Sequence, residues 1–119
     1  MIADFEQLAQ TQQAMADSIA KLEVLRPQIG MARQIVEFST DRCKSALSVV
    51  VVDFLKLDMS AAAAEHHARA SEQYKAAMKK IMGETANAET VLKGWELAKI
   101  QFEAARSLMS AEKSMLELR

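Results

Sequence analysis

The sequence predicts an all-α protein: an antiparallel four-helix bundle with coiled-coil-like packing and a long C-terminal helix. Three observations lead there. Apolar residues recur at alternating steps of three and four along most of the chain, the spacing of one helix face. Only three Gly and one Pro occur in 119 residues, too few for the turns an all-β fold requires. Ala is abundant and aromatics make up only 5%, as close helix-on-helix packing prefers. A chain of this length with half its residues hydrophobic supports one domain with its own core, here taken as residues 1–119, and is not disordered.

The first element is expected from about Ala3 to Leu25, with Phe5, Leu8, Gln12, Met15, Ile19 and Leu22 as its seam. Gln12 is the polar seam position. It either fixes register through a matching hydrogen bond or lies at the edge of the contact. Pro27 and Gly30 suggest that this helix ends near Leu25 and another starts near Pro27, since proline suits a first turn. A single long kinked helix is the competing reading, because no polar loop separates the two.

The second helix is expected near 28–58. Its apolar face begins with Met31, Ile35 and Phe38, then shifts to Cys43, Leu47, Val50, Phe54 and Leu57. Ser48-Val-Val-Val-Val-Asp53 is the one place where a strand competes. A strand needs a partner, and no second β-rich run exists, so helix is preferred. Val49, Val51 and Val52 should then make this a heavily buried element.

Asp58 or Ser60 can cap a third helix near 61–82, which Gly83 would end. Its seam (Ala63, His67, Ala70, Tyr74, Ala77, Ile81) is thin, so it should be the least buried helix. Thr85 or Asn87 would cap the last helix, near 86–118. There Ala88, Val91, Trp95, Ala98, Phe102, Ala105, Met109 and Glu112 form a heptad seam that only Glu112 breaks. Beside it runs a second stripe: Leu97, Ile100, Ala104, Leu108, Ala111, Met115 and Leu118. Such a face is too wide for one partner helix.

Composition narrows the function classes. The formal net charge is −1, so nothing favours nucleic acid as a partner. One Cys cannot form an intramolecular disulfide and fits a reducing compartment. Met1 to Leu25 lacks a signal-peptide pattern, and no apolar run is long enough to span a bilayer. A cytoplasmic protein is expected.

The residues that could carry chemistry form no recognisable site. His66 and His67 diverge by about 100° on a helix, and the Glu-x-x-His and His-x-x-x-His spacings of helical metal sites are absent. No metal and no cofactor are expected. Cys43 lies on an apolar stripe, where an inert packed thiol is the simpler reading. Gly94 beside Trp95 suggests a close helix crossing or a local kink. Lys75, Lys79 and Lys80 form a small basic patch on a solvated face. Met is frequent, as filler in a core or as an adaptable contact surface.

The expected function is therefore non-enzymatic: a helical interaction protein that self-associates, with a dimer favoured, or pairs with another helical protein. The alternative is a small-molecule or cofactor-binding bundle with a pocket between helices. The expected interaction surface is Leu108, Met109, Ala111, Met115, Leu116 and Leu118, because the last helix should outreach its shorter neighbours and leave an apolar end uncovered.

Overall fold

The computed structural model describes residues 2–118, and the side chains of residues 5–118. Its order is α1 (Ile2–Glu37), α2 (Ser39–Leu55), α3 (Ala61–Ala70) and α4 (Glu72–Glu117). No strand occurs among the described residues, and Ser48–Asp53 is helical. The boundaries differ from those expected in three places, each for a physical reason.

Pro27 does not end a helix; it lies inside α1, so the long-helix reading is the correct one. A proline in a helix interior costs about 3 kcal/mol through a lost N–H donor and a clash with the carbonyl four residues back. The inward face continues undisturbed through it: Leu22 and Leu25 are half-buried, while Ile29 and Ala32 are buried. That burial holds the helix together across the defect. The Gln28 side-chain amide also donates to the Val24 carbonyl at 3.2 Å, in the turn where proline removes a donor.

Gly83 does not end a helix either; α4 runs through it. Glycine stops a helix by taking a left-handed conformation, and no described glycine has a positive φ. Thr85 caps nothing, since its hydroxyl donates to the Ile81 carbonyl at 2.8 Å. The break falls instead at Ser71, whose backbone is extended (φ −74°, ψ 148°). Its hydroxyl oxygen accepts from the Tyr74 N–H at 3.2 Å, which caps the first turn of α4. The remaining break is at Phe38 (φ −93°, ψ 6°), between α1 and α2.

Where the start of a helix was expected at Ala61, it is there. Ser60 is the cap, accepting from the Ala63 N–H at 3.2 Å. Asp58 instead takes the left-handed conformation (φ 63°) that turns the chain after α2.

The chain divides into two compact units. One joins Met1–Gly30 with Val91–Arg119, and the other is Met31–Thr90. In the second unit α2 packs on α3. Ala64 and Ala68 are 0% exposed, and such small side chains permit a close approach. Of the rest of α3, Ala63 is half-buried and the other residues are exposed, including the expected seam residues His67 and Ala70. Of α2, Cys43 and Leu47 are half-buried and Val50 is buried. Val49 and Val52 stay 59% and 49% exposed, whereas Val51 is half-buried, so the expected broad burial of the valines holds for one of the three. Arg42 and Glu84 form an ion pair at 2.7 Å. Both side chains are more than a third exposed, so it contributes under about 1 kcal/mol.

In the first unit, segments of α1 and α4 lie together. Thr11 Oγ1 is 3.1 Å from Glu112 Oε1, and Leu25 Cδ1 lies 3.6 Å from where a Cβ on Gly94 would stand. In this unit the expected seam of α4 is the inward face: Ala98 and Ala105 are buried, and Val91, Trp95, Phe102, Met109 and Glu112 are half-buried; Ala88, also buried, lies in the second unit. The seam of α1 is displaced from expectation. Leu8, Met15 and Leu22 do face inward, but their alternates are Thr11, Ser18 and Leu25 rather than Phe5, Gln12 and Ile19. Gln12 is exposed and holds no seam position. Thr11 and Ser18 enter the seam because their hydroxyls donate to carbonyls four residues back, Gln7 and Ala14, each at 2.9 Å. A buried hydroxyl with such an acceptor no longer carries a large desolvation cost.

Candidate interaction surface

The surface starts from the two apolar stripes of α4. One is occupied by α1. The other is not: Leu97, Ile100, Leu108, Met115 and Leu118 are 55, 64, 52, 59 and 87% exposed. Ala104 and Ala111 between them are exposed as well. At about 100° per residue these positions share one side of the helix. Within this unit α4 meets a single helical segment, and a face two stripes wide cannot be covered by one neighbour. The patch therefore results from width, not from the overhang of a long helix past short ones. The corrected lengths, 36 residues for α1 and 46 for α4, replace the lengths on which the overhang was argued.

Of the expected surface residues, Leu108, Ala111, Met115 and Leu118 lie together on this outward side. Met109 and Leu116 are half-buried and turn with Glu112 toward the seam. The exposed stripe itself continues N-terminal to the residues of the expected surface. Leu97 and Ile100 extend it by three turns, and the sequence carried the signal, since both belong to the same stripe.

Along one edge the stripe runs into two open grooves beside α1, of about 500 and 440 Å³. Ala14, Lys21 and Val24 supply the α1 wall, and Leu97, Gln101, Ala104 and Leu108 the α4 wall. Nothing in the residue pattern pointed to this α1 contribution, because which side of α1 adjoins the stripe depends on the phase that Thr11 and Ser18 set. The first groove is also lined by Gln10, Thr11, Asp17 and Ser18, and Lys21 borders both. Asp17 accepts from the Gln13 amide at 2.8 Å. The opposite edge of the stripe carries Glu96 and Glu103, which pair within α4 with Lys99 and Arg106 at 3.0 and 3.4 Å.

Behind the stripe, the Thr11–Glu112 contact is the polar point of the seam. Glu112 Oε2 is buried and has no hydrogen-bond partner. The Thr11 hydroxyl has one proton to share between Gln7 and Glu112, so the carboxylate is weakly satisfied.

Elsewhere, His67 stacks on Phe54 with ring centroids 5.8 Å apart and 27° between planes, and His66 meets His67 edge-on. No group of three or more His, Cys, Asp or Glu positioned to hold a metal ion occurs among the described residues. Cys43 is a free, half-buried thiol. None of the described helices is long and apolar enough to cross a membrane. What the surface offers is apolar area bordered by a few charges.

No known protein family, curated protein or solved structure matches this chain.

Proposed function

We propose that this chain is a non-enzymatic helical interaction protein that self-associates through the outward stripe of α4. The observation that carries the reading is the exposure of Leu97, Ile100, Leu108, Met115 and Leu118 on one side of one helix. These five residues expose on the order of 600 Å², about the largest apolar patch a typical monomer carries, and such patches are often functional. At roughly 25 cal/mol per Å², covering it is strongly favourable.

The composition of the interior supports the same reading. Six of the nine buried hydrophobic residues are Ala, and no large side chain among the described residues is fully buried. Alanine seams bring helices close but contribute little apolar area, so further burial has to come from another chain. The Thr11–Glu112 and Leu25–Gly94 approaches favour an antiparallel course for the two segments of the first unit. Two such pairs, one from each copy, complete a four-helix bundle with coiled-coil-like packing. The protein so assembled works in the cytoplasm, takes no cofactor and does not bind nucleic acid.

Sedimentation equilibrium at micromolar concentration tests this. The wild-type chain should show a dimer mass and Leu108→Glu a monomer mass, with helicity by circular dichroism unchanged because Leu108 is not part of the α1–α4 seam. A monomer mass for the wild type overturns the reading.

A further inference from the structure

The stripe on α4 has a size pattern of its own. Large residues stand at its ends, Leu97 and Ile100 at one and Met115 and Leu118 at the other. Small residues, Ala104, Ser107 and Ala111, surround the middle, with Leu108 among them. Read in reverse, the order is nearly the same. Resting on the self-association proposed above, we infer that the stripe pairs with the same stripe of a second copy running antiparallel, about a two-fold axis between Ser107 and Leu108.

In that register Leu97 meets Leu118 of the second copy, Ile100 meets Met115, and Ala104 meets Ala111. The alanines in the middle let the two backbones approach closely, while the large residues at both ends close the contact. A two-fold interface requires such a self-complementary patch.

Charge and area agree with this occupant. An antiparallel two-fold places the same edge of both helices on the same side. Glu96 and Glu103 lie along the edge away from α1. Glu103 of one copy then comes beside Ser110 and Ser114 of the other, all exposed, so acid does not face acid. The edge toward α1 carries Gln101 and the two grooves, whose charged lining residues are Asp17 and Lys21, one of each sign. No charged residue lies on the stripe between Leu97 and Leu118. The roughly 600 Å² of large apolar side chains, with the small residues between them, approaches the ~800 Å² per partner of a standard interface.

Cysteine cross-linking tests the orientation on full-length protein in a Cys43→Ser background. Disulfides need Cα atoms within about 7 Å. Under mild oxidation, an equimolar mixture of Ala104→Cys and Ala111→Cys chains should give covalent dimer several-fold more readily than either variant alone. Strong cross-linking of Ala104→Cys with itself would mean parallel helices and overturn the inference. So would a dimer mass by sedimentation without cross-linking in the mixture; in that case self-association stands and this register fails. A monomer mass for the cysteine-free background removes both proposals together.

Discussion

Gly83 shows how little a residue type decides until its backbone conformation is known. As a left-handed residue it would end a helix; in α4 it sits in a helical run, exposed, and a Cβ added there meets nothing within 4 Å. It is then only a weak point, since glycine in a helix interior costs about 1 kcal/mol relative to alanine. Gly83→Ala should raise the stability by about that amount in urea titration. A destabilised variant would mean that residue 83 needs a conformation alanine cannot adopt. Gly94 differs, because there a Cβ would touch Leu25 at an ordinary 3.6 Å. Of the two explanations offered by the sequence for that glycine, this contact favours close approach. Thr11 and Ser18 carry the opposite lesson: two hydroxyl residues hold seam positions because the carbonyls behind them supply acceptors.

At the scale of elements, Pro27 has the largest local effect. Its cost inside α1 is offset by apolar burial on either side, so removing it should release stability. Pro27→Ala restores an N–H donor, and about 2 kcal/mol should remain after the greater freedom of the unfolded chain is subtracted. Thermal unfolding at fixed protein concentration reads this as a raised midpoint; a lowered one would show that the packing depends on the proline. The helical class, the start of α3 and the seam of α4 were legible because periodicity reports burial directly. The break at Phe38 was not expected, since one helix was placed over 28–58, although the apolar face slips between Phe38 and Cys43. The break at Ser71 was not legible, since alanines on both sides of it fit several phases equally well. For the same reason the inward face of α3 is Ala64 and Ala68 rather than Ala63 and His67. The valines of α2 misled because hydrophobicity states what a side chain prefers, not how many neighbours the fold provides.

Taken together, α4 is apolar on two stripes, and the described residues cover one of them. Leu108, Ala111, Met115 and Leu118 follow the second stripe and are exposed, whereas Met109 and Leu116 are half-buried on the seam side. The contribution of α1 was hidden, because it depends on the relative rotation of two helices. One residue of the stripe adds a chemical vulnerability. Met115 is 59% exposed, and peroxide converts an accessible thioether to a polar, chiral sulfoxide that apolar contacts tolerate poorly. Dimers joined at this face should therefore dissociate after mild peroxide treatment, and methionine sulfoxide reductase should restore them. Met115→Leu chains should keep their dimer mass through the same treatment, whereas equal dissociation of that variant would place the sensitive methionine elsewhere. An assembly closed by a thioether would then exist only where oxidants are kept low.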